Sequence, residues 1–466
     1  MKSRVPFFIL IVGVIISRIP LIFGGYGTDG DAWRIAQTSL MLWNEGIYHI
    51  SRFPGFPLYE FLQTPIIALG GSVASNAACL AVFILSILVF KSILEQWKVP
   101  HEDLVLLAFA FLPIFWKNSA VTMDYIWGLL GILATLSCVL NRHIAVAGII
   151  LGLAAGIRMT NIIYTVPLLL LFTFENRRQI LIFISVALFT TILCYIPALR
   201  SEDYNILAQE FFNRTTERSF ITLFSQFLYR AVYSLGLIGW GCITLFVFTR
   251  RTTIRVALAA NQFVVSGAVV AVGLSFFVLL PDEREYLIPA IPFLLLCCAF
   301  LFSRLQFGIT VIALLSYTFV SIDVIDHKFG KSTLNVTVQE GYVMKEYYGR
   351  AEFLERRTKI SQALVPDSSI VMIGMGPAFW LENPYVRHDA AMEKEFQQES
   401  ARSIYGTERY FIYATKKSQL DELRKRGYSV FYWDEMEGFL ETFIGYKFAD
   451  ERIAPIKTLQ SQITSP

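Results

Sequence analysis

The sequence predicts an α-helical multi-pass membrane protein of about eleven transmembrane helices, followed by a small α/β domain outside the membrane. Three observations predict it. The 466 residues are 55% hydrophobic and 17% charged, with mean hydropathy +0.53, where a soluble domain carries about 25% charged residues. Apolar runs of roughly 16–22 residues, each long enough to cross a hydrocarbon core as a helix, recur from Val5 to about Ile322. Beyond Ile322 charges become frequent and apolar runs short.

The first run, Val5–Phe23, follows Lys2 and Arg4 and leads through Gly24-Gly25-Tyr26 into a charged segment with no small-x-small cleavage site, so it reads as a retained signal anchor. The remaining spans fall near 73–92, 103–116, 121–140, 143–158, 160–175, 179–198, 223–248, 257–280, 286–303 and 306–322, with a first outer loop over 24–72. The third, fifth and sixth are short for a bilayer, which implies little tilt or a surround of protein.

An N-terminus inside the cell places Lys2/Arg4, Lys91/Lys98, Arg142, Arg177/Arg178, Arg250/Arg251/Arg255 and Arg304 in tight inner loops. The opposite face also holds arginines, but mixed with acids such as Asp29, Asp31, Asp124, Asp282 and Glu283, which reads as a working face. Eleven spans then leave the C-terminus outside, in a bacterial inner membrane or the endoplasmic reticulum. Residues 1–325 form the membrane domain and 326–466 the outer one. In the latter Ser368–Gly374, Arg409–Ala414 and Ser429–Asp434 read as strands and Ser418–Gly427 as an amphipathic helix with a glycine stop. Asn213-Arg-Thr and Asn335-Val-Thr match the glycosylation sequon. A net charge of +3 without a basic stripe gives no sign of nucleic-acid binding, and six cysteines within apolar segments imply packing rather than zinc or a disulfide framework.

Four polar clusters sit at predicted outer helix ends. In the first, Asp31–Trp43 carries an apolar face at Trp33, Ala36, Leu40 and Trp43, so it predicts an interfacial helix that Asp29 or Asp31 can cap. Pro54, Gly55 and Pro57 then form a rigid turn feeding a new helix. In the second, Lys117, Asn118 and Asp124 stand between spans three and four; Asp124 is either an acid on a helix N-terminus or a functional ionisable group at membrane depth. The third is "GLAAGIRMTN", whose Gly152 and Gly156 permit close helix approach while Arg158 either snorkels to the interface or binds phosphate. The fourth is "LLPDEREYLIPAIPF", with Arg284, Glu285 and Tyr286, readable also as a charged surface loop. Acids and arginines on one face suit an anionic, lipid-linked substrate: an acid can take the proton of an acceptor hydroxyl and an arginine can hold a departing phosphate.

At these residues the sequence resembles the GT-C class of integral-membrane glycosyltransferases, which includes protein O-mannosyltransferases and the aminoarabinose transferases of lipid A. "DAWRIA" at Asp31 is similar to an Asp-x-x-Arg-Tyr-Ala pattern, "PGFPLY" to Pro-Pro-Gly-Tyr-Pro-Leu, and "REYLIPAIP" to Arg-Tyr-x-x-Pro-x-x-Pro; Asp124-Tyr125 and "GLAAGIR" complete the set, over about residues 5–300. The resemblance implies a polyprenyl-phosphate (undecaprenyl or dolichyl) sugar donor, Asp31 as catalytic base, Arg158 and Arg284 as phosphate ligands and Asp124 as a second acid that orients the acceptor or supports the site. Lys117 and Arg52 join the donor-phosphate set, and Arg34, Tyr59, Glu285 and Tyr286 the substrate-binding set. The chain departs from the class at Arg52-Phe53, where His-Pro or Pro-Pro is expected, at Glu285, which interrupts Arg-Tyr, and in offering two candidate catalytic bases, Asp29 and Asp31, where one is expected.

The reading is an inverting transfer of one sugar, mannosyl or otherwise, to a protein or glycolipid acceptor on the outer face. No cofactor is implied, because arginines can neutralise a lipid monophosphate; the alternative is a divalent cation at Asp29/Asp31. The competing classes are a lipid-linked sugar transporter or flippase, which would place charges at mid-span, and a non-catalytic membrane scaffold.

Overall fold

The computed structural model describes residues 5–172, 177–216, 218–328 and 331–361, and beyond them 369–372, 381, 387–388, 404–406, 410–412, 425–432 and 454–455. The chain divides into two compact units: Met1–Gly27 with Thr38–Asp323 and Thr337–Tyr348, and Thr28–Gln37 with Val324–Val336 and Gly349–Pro466.

The first unit has the fold of a helical multi-pass membrane protein. In chain order its helices are α1 Val5–Ile22, α2 Gly30–Glu45 (whose first turns belong to the second unit), α3 Pro57–Trp97, α4 Glu102–Phe111, α5 Pro113–Asn118, α6 Tyr125–Leu140, α7 Ile144–Ile157, α8 Thr165–Leu168, α9 Arg177–Arg200, α10 Tyr204–Thr216, α11 Phe220–Leu235, α12 Leu237–Thr249, α13 Arg251–Ala257, α14 Asn261–Leu279, α15 Ile291–Leu301 and α16 Arg304–Ser316. By length and composition α3, α9 and α14 can each cross a bilayer, and Leu223–Leu235 with Leu237–Thr249 form a further apolar pair bent by 93°. Shorter apolar helices of 10–17 residues cover Pro6–Ile22, Tyr125–Leu140, Ile144–Ile157, Met159–Leu171, Ile291–Leu301 and Arg304–Ser316.

Three expected spans have a different shape. The run 103–116 is two helices, because Pro113 lacks an N–H and Leu112 before it takes extended angles (φ −54°, ψ 132°). The run 160–175 begins as a 3₁₀ turn, Met159–Tyr164, ahead of one α-turn. The run 223–248 breaks at Gly236, which has φ +77° and lies so close to Tyr317 that a Cβ would stand 2.7 Å from its ring.

Helix α3 is one element in name only. Gly71 has non-helical angles (φ 58°, ψ −149°). Ser75 Oγ donates to Gln63 Oε1 at 2.7 Å, although twelve residues of straight helix span about 18 Å. The segment from Pro57 therefore folds back on the apolar remainder. Asn76 Nδ2 then donates to the Ile22 and Gly25 carbonyls (3.1 and 2.8 Å), satisfying the end of α1.

A buried cation inside α1 fixes the broken α4–α5 corner. Arg18 is wholly buried. It donates to the Ala110 carbonyl, to Ser119 Oγ at 3.3 Å and to Ser17 Oγ at 2.7 Å, and its guanidinium lies 4.7 Å from the Trp116 ring. The break after Phe111 leaves helix-end carbonyls without intrahelical donors, and Arg18 supplies one.

Helices α7 and α9 pack through glycines. A Cβ on Gly152 would stand 2.4 Å from Thr190 Cβ and 2.7 Å from the Ala187 carbonyl oxygen, and one on Gly156 2.6 Å from Cys194 Cβ. Gly152→Val is accordingly expected to destabilise by about 1–3 kcal/mol through overpacking against backbone, read as a lowered thermal midpoint in detergent; an unchanged midpoint would show that the two helices separate freely.

The second unit contains a six-stranded mixed sheet. With β1 Val320–Lys328 and β2 Lys331–Glu340 pairing separately, its strands are β3 Ser369–Met372, β4 Arg387–His388, β5 Ile404–Gly406, β6 Tyr410–Ile412, β7 Ser429–Tyr432 and β8 Ala454–Pro455, in the order β4-β5-β6-β3-β7-β8. Strand β3 pairs in parallel with both β6 and β7, while β4, β5 and β6 pair antiparallel. The three segments read as strands from sequence contain β3, β6 and β7, which are consecutive in the sheet as β6-β3-β7. Helix α17, Tyr342–Ser361, spans both units. The amphipathic helix expected over 418–427 lies outside the described residues up to 424.

Candidate functional site

At one end of the first unit's helices, four separated stretches of chain bring their charges together. Asp124, the residue before α6, is wholly buried. Its Oδ1 accepts from Arg52 Nη2 at 2.8 Å and its Oδ2 from Arg158 Nη1 at 2.6 Å. It makes no side-chain cap to α6, so its place is that of shared counter-ion to two arginines.

Each arginine reaches Asp124 for a local reason. Helix α7 ends at Ile157, and Arg158 turns to extended angles (φ −153°, ψ 109°) before the 3₁₀ turn, which swings its side chain off the helix axis. The guanidinium then sits 4.5 Å from the Tyr125 ring and 4.4 Å from the Tyr286 ring. With its side chain 8% exposed, it is a buried fork and not a group snorkelling to the interface. Arg52 opens a tight turn: the Gly55 N–H donates to its carbonyl at 2.7 Å, Phe53–Pro54 is cis and Gly55 has φ +89°. That turn lays the Arg52 guanidinium 4.0 Å over the Phe56 ring.

A second charge cluster adjoins the first through three consecutive residues. Tyr286 stacks on Arg158. Glu285 takes Lys117 Nζ at 3.3 Å and the Tyr342 hydroxyl at 2.5 Å. Arg284 lies 4.8 Å over the Tyr342 ring and donates to the Tyr233 carbonyl at 3.2 Å. Lys117 also stands 3.9 Å from Glu346. Glu285 is 3% exposed, which removes the surface-loop reading, and its Oε2 is buried without a hydrogen-bond partner.

Burial alone would raise the Glu285 carboxyl, but Lys117 and Arg284 outweigh it and hold it below its ordinary value near 4.5. A carboxylate lowered in the folded state contributes stability that is complete above the ordinary value and is lost as pH falls below it. Glu285→Gln is therefore expected to flatten the fall of the thermal midpoint below about pH 4.5. An identical acid limb in wild type and variant would show that the pair with Lys117 contributes nothing.

The other sequence candidates lie as follows. Tyr59 is fully buried with its ring 5.8 Å from Trp127. Asp29, Asp31 and Arg34 belong to the second unit. There Asp29 Oδ1 accepts the Asp31 N–H at 2.9 Å, which fixes the start of α2, and Asp31 Oδ1 lies 3.4 Å from Arg34 Nη1. The structure thus gives Asp29 a capping contact and leaves Asp31's carboxylate 27% exposed.

Several further polar groups were not singled out as site candidates in the sequence. Glu60, one turn into α3, is wholly buried and accepts from the Ser51 N–H at 3.0 Å and from the Tyr48 hydroxyl. His49 Nδ1 meets Asp203 Oδ2 at 2.9 Å, and Arg218 pairs with Asp282. Tyr342 and Tyr317 stack on one another at 5.9 Å beside Arg284. A glutamate and an arginine inside otherwise apolar runs, Glu60 and Arg18, are signals that single-sequence reading could have used.

No protein-family model matches the chain, and no curated protein is significantly similar to it. Two solved structures are similar. One is ArnT from Cupriavidus metallidurans in the apo state, at 16% identity and TM-score 0.48, covering 67% of this chain and 63% of that one. The other is ArnT from the same organism bound to undecaprenyl phosphate, at 12% identity and TM-score 0.40, covering 80% and 83%. The chain thus spans less than two thirds of the first structure's length.

Proposed function

We propose that the protein is a membrane glycosyltransferase that moves one sugar from a polyprenyl-phosphate donor to an acceptor hydroxyl on the extracytoplasmic face, with inversion. The observation that carries this reading is the gathering of Arg52, Lys117, Arg158 and Arg284 around Asp124 and Glu285 at one end of the helical unit. Four cations against three carboxylates, Glu346 beside Lys117 included, leave an excess of positive charge, and guanidinium forks match phosphate oxygens.

In the reaction the acceptor oxygen forms a bond to the anomeric carbon as the bond from that carbon to the phosphate oxygen breaks. Asp31 takes the acceptor proton, and the polyprenyl phosphate departs with the electron pair, its charge held by the arginines. The assignment of Asp31 rests on the "DAWRIA" resemblance. Asp124 serves as counter-ion, keeping Arg52 and Arg158 ionised and aimed while the site is empty.

Loss of one charge-assisted contact to phosphate is worth about 1.5–3 kcal/mol, so Arg52→Ala is expected to weaken donor use by roughly 10- to 100-fold in kcat/KM. The test is incubation of purified protein with a polyprenyl-phosphate sugar and candidate acceptors in proteoliposomes, following both free polyprenyl phosphate and lipid translocation. Acceptor-dependent release of polyprenyl phosphate supports the transferase. Translocation without release in any condition would make the protein a transporter.

A further inference from the structure

We infer that Glu60 is a positioning residue that shapes the Tyr48–Gly55 segment so that Arg52 meets Asp124; the inference rests on the proposed role of Arg52 toward donor phosphate. Glu60 is a wholly buried carboxylate with no cation in ion-pair distance among the described residues. A charge in such a place is costly unless its oxygens are satisfied. Both are satisfied by the same short segment, Oε1 by the Ser51 N–H at 3.0 Å and Oε2 by the Tyr48 hydroxyl.

The next residue after Ser51 is Arg52, whose Nη2 reaches Asp124 Oδ1 at 2.8 Å. Fixing the Ser51 amide fixes the direction in which the Arg52 side chain leaves the backbone. The far side of the segment is held separately: the Tyr195 hydroxyl donates to the Gly55 carbonyl at 3.2 Å, and a Cβ on Gly55 would stand 3.2 Å from Ala198 Cβ. His49 is tied to Asp203. Glu60 is thus the member of these tethers that acts on the residues directly before Arg52, and it does so from the first turn of α3.

The experiment reads backbone amide exchange of the 47–56 segment by mass spectrometry, without ligand, beside steady-state kinetics with the lipid donor. Glu60→Ala is expected to speed exchange at Ser51 by about tenfold or more, and to raise the donor KM by about tenfold with kcat within about twofold. Glu60→Gln keeps an acceptor for Ser51 and a partner for Tyr48, and is expected to restore both readouts. Exchange in folded Glu60→Ala equal to wild type overturns the inference, whether or not transfer is seen. Faster exchange with no donor turnover by wild type leaves the tether standing and overturns the transferase reading instead. Should Glu60→Ala yield no folded protein, Tyr48→Phe removes one tether alone: raised exchange over 47–50 with a higher donor KM supports the inference, and wild-type values of both overturn it.

Discussion

Asp124→Ala is expected to destabilise the protein by about 3–5 kcal/mol, because it strands buried Arg158 and removes one partner of the half-buried Arg52. The magnitude comes from the asymmetry of buried pairs. Forming one from two hydrated ions is close to neutral, whereas deleting one partner leaves the other's desolvation uncompensated. Arg158 loses the more: the rings of Tyr125, Tyr286 and Phe56 beside it attract a cation but do not replace a carboxylate. The double variant Asp124→Ala/Arg158→Ala is therefore expected to cost less than the sum of the two single variants. Thermal midpoints of the four proteins in one detergent give the answer. Strict additivity would mean that the two side chains do not interact in the folded protein.

The second large effect is on chemistry. Asp31→Asn is expected to lower transfer by about 10²–10⁴-fold, the range for removal of a general base, with the fold intact. Asp29→Asn is the matched control. Its Oδ1 accepts the Asp31 N–H at the start of α2, and an asparagine oxygen can do the same, so its loss is expected to stay within about tenfold. Equal losses in the two variants would assign them one joint role, such as ligation of a divalent cation.

The contrast between what was legible in the sequence and what was not follows from range. Helices were legible because each apolar run reports its own burial, and Gly152 and Gly156 were legible because small residues at helical spacing serve close packing wherever the partner lies. Asp124, Arg158, Lys117 and Glu285 stood out as ionisable residues at helix ends, but their pairing did not, since the partners lie 34 to 168 residues apart. Asp124 consequently read as a second acid where the structure gives it both oxygens to arginine. Glu60 was hidden inside a turn motif whose prolines and glycine drew attention to themselves, and its partners Tyr48 and Ser51 reach it only once that turn has closed. Arg18 was averaged away within a strongly apolar run. The bend at Gly236 was invisible because hydropathy is blind to direction: the residues on both sides are apolar, and only the close approach of Tyr317 demands the positive φ.

In the proposed reaction the gathered cations serve the release of a lipid phosphate on sugar transfer. That reaction is tested most directly by quantifying, in one incubation of the purified protein, both the polyprenyl phosphate freed from a polyprenyl-phosphate sugar and the glycosylated acceptor formed. The two products are expected in equal amounts from wild type, with both lost together in Asp31→Asn. Equal yields from wild type and Asp31→Asn, or no freed polyprenyl phosphate with any donor and acceptor tried, would contradict it.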